Sequence, residues 1–143
     1  MKQLSITLTN EIYEAIMTHA KEALPNESCG YLGGNNNQVT TFYPMKNMDE
    51  SPEHFSFDPK EQFSVVKKAR EKKESLISVY HSHPNTPARL SEEDLRLFND
   101  SNIVYIIVSL ENNAPMMNAF KVNKPSDDEI EIYKVNIEIK KGE

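Results

Sequence analysis

Leu4, Ile6 and Leu8 alternate with polar residues, the pattern of a half-buried strand. Thr9 or Asn10 then caps a helix. Its apolar stripe, Ile12, Ala15, Ile16, His19 or Ala20, and Ala23, keeps helical spacing, and Pro25 ends it. Glu27 to Gly34 reads as a short strand running into a turn at Gly33-Gly34-Asn35-Asn36-Asn37. Gln38 to Met45 is the return strand, with Val39, Phe42 and Tyr43 packing. The glycines lack the Lys-Ser/Thr ending of a phosphate loop and precede no helix, so they mark a turn.

Lys46 to Phe57 is irregular. Asp58-Pro59-Lys60-Glu61 starts a second helix, with cap, proline at the first position and acid at the third. That helix is expected to run to about Glu74, with Phe63, Val66 and Ala69 or Arg70 inward. Leu76 to His83 forms a strand and Ser91 to about Asn99 a short helix. The continuous apolar run Ile103 to Val108 fits a strand covered on both faces. Met116 to Val122 is a further strand. Ile130 and Ile132 alternate, as do Val135, Ile137 and Ile139, but the two sets are out of phase; a bulge near Tyr133 would reconcile them. The pattern predicts an α/β or α+β fold, a mixed central sheet flanked by helices, in one domain over residues 1–143.

With 38% hydrophobic and 27% charged residues, the composition suits a globular chain with a real core. The net charge of −6 argues against a broad nucleic-acid footprint and suits a basic partner better. The basic run Lys67 to Lys73 is interrupted by Glu71 and reads as a solvated helix face rather than a docking surface. Cys29 is the single cysteine, so no disulfide forms within the chain, which fits a reducing compartment. It reads as a small buried strand residue. No apolar run reaches the length of a membrane span and the N-terminus lacks a long apolar segment, so the cytoplasm is the expected location.

The candidate chemistry lies at His81-Ser82-His83-Pro84 and Ser91-Glu92-Glu93-Asp94. Alternate strand residues share a face, so His81 and His83 point the same way. Pro84 holds His83 extended and removes the next backbone donor, ending the strand there. The seven residues from Pro84 to Leu90 are long enough to fold the helix start back onto the strand end. Asp94 would then complete a His, His, Asp triplet, and a catalytic zinc commonly takes three protein ligands plus a water. Ser-x-x-Asp is also an ordinary capping pattern; the two same-face histidines give the carboxylate its second reading. His19 reads as a core or boundary residue and His54 as a loop residue. A zinc hydrolase also needs a general base. Glu27 is favoured because it lies outside any solvated helix face, while Glu11, Glu14, Glu22 and Glu53 stay open.

The spacing His-x-His-x7-Ser-x2-Asp, with an upstream Glu in Glu-Ser-Cys-Gly-Tyr-Leu-Gly-Gly, resembles the JAMM (MPN+) metalloprotease family, and the stand-alone prokaryotic members in particular. The resemblance implies a cytidine-deaminase-like fold and one Zn2+ held by His81, His83 and Asp94. It also implies Glu27 as general acid/base and Ser91 as the residue steadying the tetrahedral oxyanion, a role that competes with capping for one hydroxyl. The reaction implied is cleavage of a peptide or isopeptide bond after the C-terminal Gly-Gly of a ubiquitin-like or sulfur-carrier protein. Such a tail is thin enough to add beside an exposed sheet edge, and the segment from Tyr43 to Phe57 is the candidate channel wall. Two histidines and a carboxylate also describe an iron(II) oxygenase triad, but that usually comes in a jelly roll. A binding scaffold is the non-enzymatic alternative, although such relatives generally lose motif residues and all five are kept here.

Overall fold

The computed structural model describes residues 4–141. β1 (Ser5–Thr9) leads into α1 (Asn10–Ala23), capped by the Thr9 hydroxyl, which accepts from Ile12 N at 3.1 Å. The hairpin β2 (Cys29–Asn35) and β3 (Gln38–Met45) follows, then α2 (Pro59–Glu71) and β4 (Ser75–His83). A short α3 (Glu92–Leu97) precedes β5 (Val104–Ser109), β6 (Met116–Ser126) and β7 (Glu129–Lys140).

The strands form one mixed sheet in the order β1-β3-β2-β4-β5-β6-β7, which closes into a barrel. β4 pairs antiparallel with β2 and parallel with β5, so it sits in the middle with no free edge. Closure is thin on one side, where β1 meets β3 only at Thr7↔Gln38. The interior is filled by Ile6, Leu8, Leu32, Tyr80, Ile106 and Val135, with Ile16, Met17 and Ala20 of α1 packed over it. A second cluster, Phe98, Tyr105 and Val122, lies on the outer face of β4–β6 beneath α3. β5 is buried along its whole length, as its unbroken apolar run requires.

Four expectations change. The chain stays in β2 through Gly33 and Gly34, and the turn is made by Asn36 and Asn37, at φ 54° and 65°. The glycines serve close approach: a Cβ on Gly34 would sit 1.9 Å from the Gln38 carbonyl oxygen. On α2, Val65 and Ala69 face the core and Gln62 Nε2 donates to the Tyr31 hydroxyl at 2.7 Å, whereas Phe63 is 73% exposed. One residue is about 100° of helix rotation, and it is the row carrying Val65 and Ala69 that packs with Cys29, Tyr43 and Met45 of the β2–β3 hairpin. Ala15 on α1 is exposed, and Met17, on the opposite flank of Ile16, joins the core instead. No register break occurs at Tyr133. Ile132 pairs with Val122 and Val135 with Ala119, and the break in that ladder lies between Asn123 and Ser126. The two apolar sets of β7 are out of phase because they line opposite faces, Val135 inside the barrel and Ile132 outside beside Val122.

Candidate metal centre and cleft

β4 delivers the histidines and α3 the carboxylate. Along β4, Ser78, Tyr80 and Ser82 are fully buried, with Tyr80 in the barrel core, so the alternate positions Val79, His81 and His83 emerge on the outer face. α3 begins at Ser91, whose hydroxyl accepts from Asp94 N at 3.0 Å while Asp94 Oδ2 accepts from Ser91 N at 3.0 Å. This capping box turns the Asp94 side chain back toward β4. The loop between them is fastened by Ser109 Oγ donating to Thr86 O at 2.6 Å and Asn118 Nδ2 donating to Ala88 O at 2.9 Å.

The three side chains meet. His81 Nε2 lies 3.0 Å from His83 Nε2 and 3.2 Å from Asp94 Oδ1, and His83 Nε2 lies 3.3 Å from Asp94 Oδ2. A tetrahedral ion with bonds of about 2.0–2.1 Å spaces its ligand atoms by about 3.3 Å, so the donor set fits a zinc-sized cation. The tautomer of His83 agrees. Its Nδ1 must donate to the carbonyl oxygen of Pro87, 2.8 Å away, which leaves the Nε2 lone pair facing the carboxylate. That outer hydrogen bond is the kind that orients a metal-binding imidazole. Among the described residues, His81, His83 and Asp94 are the one group of three or more His, Cys, Asp or Glu placed to share an ion.

The electrostatics suit a cation as well. Burial works to raise the Asp94 carboxyl, but a hydrogen bond from His81 and one from His83 when its ring is protonated hold it well below the usual carboxylate range. Burial pushes His81 toward its neutral form, outweighing Asp94. Phe55 stacks on the His81 ring at 4.8 Å and Phe98 meets it edge-on at 5.6 Å, drying the site on two sides. Among the described residues, His81 Nδ1 is buried without a hydrogen-bond partner.

A cleft of about 480 Å³ opens beside the triplet, lined by Glu27, His83, Ser91, Arg96 and the loop at Pro52–His54. Of the five upstream acids, Glu27 and Glu53 reach it, and only Glu27 is buried, at 6% exposure. Burial, reinforced by the charges of Asp94, Glu93 and Glu53 and opposed by His83, pushes the Glu27 carboxyl up to about 8. His54 stays out of the triplet; its Nδ1 pairs with Glu93 Oε2 at 2.7 Å, bridging the loop and α3 across the cleft. The segment expected to form a channel wall contributes Pro52, Glu53 and His54. Because β4 is paired on both sides, it offers no free edge beside the histidines.

Ser91 is the helix cap, and this does not consume its hydroxyl. A hydroxyl has two acceptor lone pairs and one donor proton. The cap uses a lone pair, and the proton remains available to an oxygen in the cleft. The two roles expected to compete therefore use different parts of one group. Sequence reasoning missed Phe55, Phe98, Pro87 and Asn47, whose Nδ2 donates to the Glu27 carbonyl oxygen at 3.0 Å, because their contributions depend on tertiary placement. Cys29 is fully buried with its thiol pushed up to about 12 by burial, as a packing residue should be.

A family model for prokaryotic homologs of the JAB domain matches residues 9–123. A protein of Desulfitobacterium hafniense of known solution structure is 41% identical, with TM-score 0.84 over 96% of this chain and 94% of that one. The CysO-cysteine peptidase of Mycobacterium tuberculosis is 29% identical over 73% of each chain. The desampylase of Haloferax volcanii is 28% identical over 76% of this chain and 84% of its own.

Proposed function

Because the chain belongs to the prokaryotic JAB family, we propose that it is a zinc-dependent metallopeptidase that hydrolyses the bond after the C-terminal Gly-Gly of a sulfur-carrier or ubiquitin-like protein. The observation that carries this reading is the convergence of a His, His, Asp donor set, a buried carboxyl of raised proton affinity and a capped serine on one cleft. Two relatives, a CysO-cysteine peptidase and a desampylase, support this choice of substrate class.

His81 Nε2, His83 Nε2 and an Asp94 oxygen would hold the ion. Bound there, zinc would polarise the scissile carbonyl and acidify a water to near neutrality. Glu27 accepts the proton of the attacking water on its carboxylate and returns it to the leaving amine nitrogen, work that calls for a proton affinity near the operating pH. Ser91 donates its O–H to the oxygen that becomes negative in the tetrahedral species. Phe55 and Phe98 keep bulk water from the buried histidine. The glycines of the tail have no side chains to clash between the Pro52–His54 wall and the start of α3.

The test incubates the purified, zinc-loaded protein with Gly-Gly-ending carrier proteins extended at their C-termini and weighs the products. Release of the extension, leaving an intact Gly-Gly end, supports the reading. Uncleaved carriers of every extension, or cuts elsewhere, remove it.

A further inference from the structure

Glu27 belongs to no strand or helix; it lies two residues ahead of β2. A general base needs a fixed position, since an error of about 1 Å can cost about a hundredfold in rate. Local secondary structure does not supply that position, so tertiary contacts must.

They come from two sides. Ser82, the residue between the paired histidines, points into the barrel, away from the cleft. Its Oγ accepts from Ser28 N at 2.8 Å, and its own N–H donates to Ser28 O at 3.0 Å. Ser28 Oγ donates to Ser82 Oγ at 2.9 Å and accepts from the Tyr80 hydroxyl at 2.7 Å. The residue directly after Glu27 is thus tied to the histidine strand by backbone and side chain together. On the other side, Asn47 Nδ2 donates to Glu27 O at 3.0 Å and to His54 O at 2.8 Å. Asn47 Oδ1 accepts from Asp49 N and Ser56 N, and Glu27 N donates to Ser51 O at 2.8 Å. Ser82, Ser28 and Asn47 are all buried. Hydrogen bonds of this kind, once formed in the dry interior, are costly to leave unmade.

We infer that Ser82 and Asn47 are positioning residues that brace the Glu27 peptide from opposite sides and so set its carboxylate at working distance from the histidine pair. Ser82 does this from the metal strand. Asn47 does it from the cleft loop, and through the His54 carbonyl it fixes the cleft wall in the same act. The inference rests on the hydrolase reading above.

The experiment compares wild type with Ser82→Ala, Ser82→Thr and Asn47→Asp, the last keeping size and acceptor but losing both donors. In the zinc-loaded proteins, Ser82→Ala should lower kcat about tenfold to a hundredfold with KM within about twofold. Ser82→Thr, which keeps the hydroxyl, should restore most of it. Asn47→Asp should lower kcat and also raise KM, because the wall loosens. Zinc affinity should stay within about twofold in all three, since no donor atom is touched. In the metal-free proteins, amide exchange at Ser28 should quicken at least about tenfold in Ser82→Ala, and at Glu27 in Asn47→Asp, with Ile106 and Val108 of β5 unchanged. Wild-type kcat in both Ser82→Ala and Asn47→Asp, equal losses in Ser82→Ala and Ser82→Thr, or faster exchange spread evenly into β5 would overturn the brace. A wild-type protein that hydrolyses no tail overturns the hydrolase reading instead, and unchanged exchange at Ser28 and Glu27 overturns the brace in that case too.

Discussion

Replacing Ser91 separates the two duties of one hydroxyl. Ser91→Ala removes the acceptor that satisfies Asp94 N at 3.0 Å but leaves the backbone N–H that Asp94 Oδ2 accepts. Half of the capping box survives, Asp94 stays aimed at the histidines, and zinc content should hold at the wild-type level. Loss of a serine cap costs about 1 kcal/mol, whereas serine to glycine costs only a few tenths. In a chain of this size 1 kcal/mol corresponds to about 4 °C in Tm. Loss of an oxyanion donor costs about a hundredfold to a thousandfold in kcat, about 3–4 kcal/mol. The rate effect is therefore several times the stability effect, and the two part company between variants. Ser91→Ala should melt about 4 °C lower than wild type and Ser91→Gly about 1 °C lower, yet both should lose the same factor in kcat. Scanning calorimetry of the zinc-loaded proteins gives the first quantity. Release of a C-terminal extension at saturating substrate gives the second. If kcat follows Tm across the pair, or stays within about threefold of wild type in both, Ser91 is a cap and nothing more.

Glu27→Gln should retain zinc and lose at least about a hundredfold in kcat; wild-type turnover would remove Glu27 from the chemistry. The raised proton affinity of Glu27 has a stability signature in the metal-free protein. Between about 4.5, where the unfolded chain ionises, and about 8, the folded protein holds a proton that the unfolded chain lacks. This contribution is full below about 4.5 and is lost as pH rises through about 8. Urea unfolding from pH 5 to 8.5 should show wild type falling relative to Glu27→Gln, and parallel curves would contradict it. Cys29→Ser should leave zinc content unchanged, because Cys29 stands outside the donor triplet; loss of metal would refute this. Replacing Pro52–His54 with a Gly-Ser segment should raise KM several-fold, and unchanged kinetics would remove that segment from the tail-binding wall.

The parts of the fold that the sequence revealed were those with a local cause. The alternation of β1, the Thr9 and Asp58 caps, the apolar run of β5 and the His-x-His and Ser-x2-Asp spacings each act within a few residues. The misses share a different origin. The α2 stripe is ambiguous because 62/65/69 and 63/66/69 are both helical rows, and tertiary packing against Cys29, Tyr43 and Met45 selects the first. The phase of β7 resembles a bulge because one strand carries apolar side chains on both faces, Val135 buried in the barrel and Ile130 and Ile132 exposed on the outside. The same holds at the site. The triplet follows from strand alternation and one cap, while the brace on Glu27 depends on Asn47, twenty residues away in the chain, and on a serine whose neighbours carry the motif.

The most direct test of the account is a crystal of the zinc-loaded protein with anomalous data at the zinc edge. One peak is expected, bound by His81 Nε2, His83 Nε2 and an Asp94 oxygen at about 2.0–2.2 Å, with the fourth position open to the cleft beside Glu27. A peak held by other residues, or those three side chains turned to different parts of the molecule while zinc is in excess, would contradict it.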